Sequence, residues 1–178
     1  NTFLQEHLWV NGKEVSAHKR GYNVAVIDPQ TGTVDTTESF DTWLSPGEGN
    51  RLAGFLKGIA RGKIVAATIS DEGSDALSGA AKSALQEDVG VSQLPRSWWS
   101  HAFIGIKGSA SGTASETIAS PTTLVTVGVL KANVPDEAMD NRSELETLLR
   151  RAAEEAPGKV AIYIPSLDAT ATITVACR

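Results

Sequence analysis

The segment GYNVAVIDPQTGTVDTTESFDTW, Gly21 to Trp43, decides the fold class. Gly21 to Asp28 alternates loosely and is rich in Val and Ile, which reads as a strand. Asp28-Pro29-Gln30-Thr31-Gly32 is a turn for chemical reasons, since Pro29 presets φ and Gly32 accepts a positive one. A second strand then runs from about Thr33 to Phe40 and completes a hairpin. It ends in Phe40-Asp41-Thr42-Trp43, a carboxylate and a hydroxyl between two aromatics. Such a cluster suits either a ligand platform or the tying-off of a strand end.

Working outward, Ser45-Pro46-Gly47-Glu48-Gly49 breaks the chain before a helix in which Leu52, Phe55, Leu56 and Ile59 form one apolar stripe. Lys63 to Ile69 reads as a buried strand. Ser70-Asp71-Glu72-Gly73-Ser74 has the acceptors of a helix start, and Leu77, Ala80, Ala81, Ala84 and Leu85 line the helix expected after it. Trp98-Trp99 leads into a strand from His101 to Lys107. Gly108 to Ser120 is Gly, Ser, Ala and Thr, and its composition predicts a loop. Thr122 to Lys131 is strongly β-forming. Beyond it, Leu145, Leu148, Leu149 and Ala152 predict a helix, and Lys159–Ile164 and Thr170–Ala176 two closing strands. Strand pairs with few helices between them make an α+β, sandwich-like domain over residues 1–131. Residues 132–178 then form a C-terminal extension or packing element.

The 178 residues are long enough for one sizeable core, and 41% hydrophobic with 21% charged is globular composition. A net charge of −5 without a basic run disfavours a nucleic-acid partner. No apolar stretch of about 18 residues is present, so no membrane-spanning helix is expected. Cys177 is the single cysteine, which makes it a free thiol or one half of a disulfide to a residue outside the chain. Asn141-Arg142-Ser143 is an N-glycosylation sequon and fits a secreted chain.

Enzyme signatures fail in turn. Gly108-Ser109-Ala110-Ser111-Gly112 places its serines wrongly for a nucleophile elbow. His7, His18 and His101 are far apart in the chain and belong to no HExxH pair, so no metal site is expected. Gly47-x-Gly49 followed by Gly54 misses the dinucleotide spacing. The expectation is a non-catalytic chain without a cofactor. Among the remaining polar and aromatic residues are Asp41, Trp43, Asp71, Glu72, Arg96, Trp98, Trp99 and His101, the types that bind sugars. Carboxylates accept from hydroxyl pairs, and an aromatic face covers the apolar side of a pyranose. A carbohydrate site would use Asp41, Trp43, Asp71, Glu72 and Trp98. Helix capping by Asp71 and Glu72, and edge packing by the tryptophans, are the structural alternatives.

The order of the pieces carries a resemblance. Arg20-Gly21-Tyr22-Asn23-Val24-Ala25-Val26, Thr31-Gly32, Phe40-Asp41-Thr42-Trp43, Phe55-Leu56-Lys57, Gly62-Lys63-Ile64-Val65, Asp71-Glu72-Gly73-Ser74 and Trp99 to Gly108 resemble, in order and spacing, the ILEI domain. This family includes the FAM3 cytokine-like proteins, the stem of the protein O-mannose N-acetylglucosaminyltransferase and the cell-surface hyaluronan-degradation proteins. The resemblance covers about residues 20 to 108, with Thr122 to Leu130 supplying a last strand. It implies a compact β-sandwich-like domain of two antiparallel sheets with flanking helices, outside the cell or in the secretory lumen, that recognises and does not turn over. FAM3 members are held by disulfides, whereas no cysteine precedes Cys177 here; Asp71-Glu72-Gly73-Ser74 and the Ser45-Pro46 break both resemble the glycosyltransferase stem, which is the closer analogue. Three functions follow from the resemblance. The first is a carbohydrate-binding or recognition domain of a larger protein, with a glycan or glycoprotein partner. The others are an assembly module contacting neighbouring domains or subunits, and a secreted cytokine-like signal.

Overall fold

The computed structural model describes residues 6–11 and 13–119, together with the backbone of 125–130, 159–161 and 172–177. Two five-stranded sheets stack face to face, and two helices cover the outer face of one of them. The strands are β1 (His7–Val10), β2 (Lys13–Glu14), β3 (Gly21–Ile27), β4 (Val34–Phe40), β5 (Ile64–Ser70), β6 (Ser100–Ile106), β7 (Ser115–Ala119), β8 (Val125–Leu130), β9 (Lys159–Ala161) and β10 (Thr172–Cys177). The helices are α1 (Pro46–Gly58) and α2 (Gly79–Val89). The first sheet runs β2-β1-β10-β8-β9 and the second β4-β3-β5-β6-β7. Every pairing is antiparallel except β8 with β9. This is the α+β sandwich anticipated from the sequence.

The central strands of the second sheet are buried on both faces, which is why β3 and β5 read as nearly continuous apolar runs. Tyr22, Val24, Val65, Ala67, Ile69 and Phe103 meet Leu52 and Leu56 of α1 and Leu85 and Val89 of α2. The alternate residues Ala25, Ile27, Ile64, Ala66, Ala102 and Ile104 face the first sheet and pack on Leu8 and Val10. The β3–β4 turn is built by Asp28, whose Oδ1 accepts the N–H groups of Gln30 and Thr31, each at 2.9 Å. Lys63 Nζ bridges Asp28 and Asp35 at 2.7 Å each, and its hydrogen bond holds the Asp28 carboxyl far below the usual aspartate range.

Two local expectations are corrected. Within the stretch expected to be a loop, residues 115–119 form β7 along the free edge of β6. Its anchor is Glu116, which accepts the N–H groups of Ser92 (2.8 Å) and Gln93 (3.2 Å). Ser70 to Ser74 is not a helix start. Ser70 ends β5, Asp71 turns the chain with φ +59°, and α2 begins eight residues after Asp71, capped by Ser78, whose hydroxyl accepts the Ala81 N–H at 3.2 Å. Strands β1 (HLWV) and β2 (KE) were not anticipated, because four and two residues are too few for a strand period to stand out. The helix expected around Leu145, and the Asn141 sequon, lie outside the described residues.

Candidate functional site

At one end of the second sheet four strand termini converge: the start of β3, the end of β4, the end of β5 and the start of β6. Gly21 makes this possible. Its φ is +89°, and a Cβ there would lie 2.0 Å from the Phe40 carbonyl oxygen. Arg20, just before it, turns its guanidinium onto Asp41. Nε donates to Oδ1 at 3.0 Å and Nη2 to Oδ2 at 2.7 Å, a bidentate pair. The same guanidinium lies over the Trp43 ring, 4.0 Å from its centre. Arg20 is thus held between the aspartate and the indole. Hydrogen bonds from Arg20, more than any other influence, hold the Asp41 carboxyl below its ordinary pKa.

Thr42 is fully buried and stitches this strand end to the next loop. Its hydroxyl donates to the Gly73 carbonyl (2.7 Å), and its own carbonyl accepts the Ala76 N–H (2.9 Å). The strand end is also tied to the α1 segment: Asp41 N–H donates to Glu48 at 3.1 Å. The sequence left open what Phe40-Asp41-Thr42-Trp43 does, and each residue has a separate task. Phe40 is core, Asp41 fixes Arg20, Thr42 binds the loop after β5, and Trp43 carries the guanidinium at the surface.

Glu72 is buried to 1% exposure, and its carboxylate is spent within the protein. Oε1 accepts the Ser74 N–H (2.5 Å) and hydroxyl (2.6 Å), and Oε2 accepts the Trp98 N–H. It therefore acts from behind the surface, fixing the backbone of Trp98. Trp98 itself is 53% exposed and has φ +62°, a left-handed conformation that is rare and strained for a bulky side chain. Together Trp43, Leu44 and Trp98 are the exposed large apolar side chains among the described residues, and all three belong to this end of the sheet.

The five residues singled out in the sequence thus come from three loops tied to one another, with Glu72 alone enclosed. Arg20 was missed as a site residue. Its signal was an arginine entering β3 opposite an aspartate leaving β4. Past the register shift between Val26 and Ile27 the ladder ends at Tyr22 opposite Phe40, so Arg20 reaches Asp41 diagonally from outside the ladder, and composition gives no sign of that reach. His101 is enclosed too: its Nε2 lies 3.3 Å from Glu116 and its Nδ1 2.8 Å from the Tyr22 hydroxyl. The carboxylate can only accept, so the neutral ring carries its proton on Nε2 and Nδ1 accepts from Tyr22.

The profile of the interleukin-like EMT inducer family, ILEI, matches residues 20–109, the span from Arg20 through β6. The chain belongs to the ILEI family. The human cell migration-inducing and hyaluronan-binding protein is 32% identical over 126 residues, covering 66% of this chain and 9% of that protein. Cell surface hyaluronidase of Danio rerio is 29% identical over 127 residues, with the same coverage of 66% and 9%. Protein FAM3C of Danio rerio is 36% identical over 93 residues, 50% of this chain and 39% of FAM3C. The chain therefore spans a small part of the larger relatives and well under half of FAM3C. The ILEI match takes in all four converging strand ends. No helix among the described residues is long and apolar enough to cross a membrane.

Proposed function

We propose that this chain is a non-catalytic recognition domain, outside the cell or in the secretory lumen, that binds carbohydrate at the Arg20–Asp41–Trp43–Asp71–Trp98 end of its second sheet. The observation that carries this reading is Trp98. A buried carboxylate, Glu72, holds a large aromatic in a strained backbone conformation with its ring half in water. Packing gains nothing from that arrangement, whereas an aromatic face offered to a pyranose gains a stacking surface. Because Arg20 already covers Trp43, Trp98 is the stacking residue, and Asp71 is the carboxylate left to accept from sugar hydroxyls. A relative named for binding hyaluronan and others named as cell surface hyaluronidases support a glycan as the ligand class and the cell exterior as the location.

The test is a glycan-array screen of the chain and of Trp98→Gly, including hyaluronan oligosaccharides, with light scattering for mass. Glycine relieves the left-handed strain, worth about 1–2 kcal/mol, so Trp98→Gly should keep or raise its unfolding midpoint while losing the glycan signal. A hit that survives this substitution moves the site elsewhere. A silent array with a self-associating protein replaces the reading with an assembly module docking through Trp43, Leu44 and Trp98.

A further inference from the structure

Between the first sheet and the segment that enters β3, the fold gathers two of the three histidines that lie far apart in the sequence. His7 is in β1, Glu14 in β2 and His18 in the segment entering β3. One donor atom from each falls within 4.8 Å of the other two. His7 Nδ1 lies 2.8 Å from Glu14 Oε2, and the His7 ring is stacked on Trp9 with centres 4.7 Å apart. The His18 ring stands edge-on to His7 at 5.2 Å.

Each side chain is aimed by its surroundings. Glu14 Oε1 accepts the N–H groups of Leu8 (2.9 Å) and Ser16 (3.2 Å), which leaves Oε2 directed at His7. His18 has φ +53°, so its backbone is in the left-handed region. That turn is fixed by the Ser16 hydroxyl oxygen, which accepts the His18 N–H at 3.1 Å, and Ser16 in turn donates to buried Glu6. The His18 Nδ1 is 2.8 Å from the Glu6 main-chain carbonyl. A carbonyl can only accept, so Nδ1 carries the proton and, in the neutral ring, Nε2 presents its lone pair outward. An imidazole whose second nitrogen is anchored to a backbone carbonyl is oriented as metal-ligating histidines are.

We propose that His7, Glu14 and His18 form a three-ligand site for a divalent transition cation of the zinc or copper(II) class, with a further coordination position open. Two imidazoles and a carboxylate are borderline donors, suited to these ions and not to calcium or magnesium, which take oxygen ligands. Bonds of about 2.0–2.2 Å place tetrahedral donors roughly 3.3–3.5 Å apart. From the 4.8 Å envelope the widest pair closes by about 1.3–1.5 Å, while His7 Nδ1 and Glu14 Oε2, 2.8 Å apart, open slightly and release the proton between them. His18 is exposed and the other two are half-buried, so side-chain rotation suffices. Bound there, the ion clamps the β1–β2 hairpin to the segment that reaches Arg20 two residues later, and so links the first sheet to the glycan platform.

The experiment is calorimetric titration of the untagged chain with zinc chloride, repeated on His7→Gln, His18→Gln and Glu14→Gln, with cobalt(II) as a spectroscopic stand-in. One equivalent should bind, and either histidine variant should weaken binding at least about tenfold. Cobalt should give the visible absorption of a low-symmetry N/O site, and imidazole NMR signals of His7 and His18, but not of His101, should shift on titration. That NMR readout uses the unmodified chain and stands even where a variant folds poorly. No saturable binding, or binding by both histidine variants as tight as that of the unaltered chain, or shifts that spare His7 and His18, overturns the proposal.

Discussion

Arg20 and Asp41 show how one pair can serve both the fold and the site. The guanidinium closes the strand end and presents a flat cation against Trp43. Asp41 has a lowered pKa in the fold, so the pair stabilises the native state above the ordinary aspartate value of about 3.9 and loses that contribution as pH falls below it. Arg20→Gln should raise the Asp41 titration midpoint towards that value and flatten the acid side of the stability–pH profile. Carboxyl NMR and urea melts at stepped pH measure both, and an Asp41 midpoint that stays put rejects the pair as the cause. Deeper in the molecule, Tyr22→Phe removes the hydroxyl that meets His101 Nδ1 in a fully buried setting. The orphaned nitrogen should cost about 1–2 kcal/mol, read as a lower urea midpoint at unchanged slope.

Among the elements, two glycines separate close approach from mere helix-weakening. Gly21→Ala drives a methyl into the Phe40 carbonyl at the mouth of the β3–β4 pair and keeps a positive φ. A loss of about 3 kcal/mol or more is expected. Gly54 sits inside α1, and a methyl added there would meet nothing within 4 Å, so Gly54→Ala should gain about 0.5–1 kcal/mol. Urea melts of the two variants decide it, and equal effects would mean that the approach at Gly21 is not what holds the strand ends together. Legibility follows the same division. Strands β3, β5 and β6 and helix α1 were readable because burial writes itself into apolar pattern, and the exposed β4 because the Asp28–Gly32 turn makes it the return arm of a hairpin. Strand β7 was not, since its Ser, Thr and Glu residues owe their conformation to the open edge of β6 and to Glu116 reaching across to Ser92. The site showed the same limit. Its aromatics and carboxylates could be named from their types, but which carboxylate was buried, which indole was covered and which histidines met depend on loop ties distant in sequence.

At the scale of the whole molecule, the chain closes on itself. The family match ends at residue 109, yet the last described strand, β10, lies between β1 and β8 at the centre of the first sheet, with His7 opposite Ala176 and Cys177 opposite Val125. The N-terminal hairpin therefore depends on the C-terminal end for its backbone hydrogen bonds. The inner face of the second sheet, with Ala25, Ile27, Ile64, Ala66 and Ile104, needs that sheet as its cover. Ending the chain after residue 131 removes β9 and β10 and leaves β1 with one open edge and β8 with both edges open. Such edges invite pairing between molecules, and large apolar side chains left uncovered forfeit about 1.5–3 kcal/mol each. The shortened chain should aggregate or lose cooperative unfolding, and the amides of His7 and Trp9, which face β10 while Leu8 donates to Glu14 on the other side, should lose hydrogen-exchange protection. Adding back a peptide spanning 159–178 should restore some of that protection by reoccupying the β10 position. A shortened chain that stays monomeric and melts as sharply as the full one would show instead that residues 1–131 fold alone and that the C-terminal strands only dock on a finished domain.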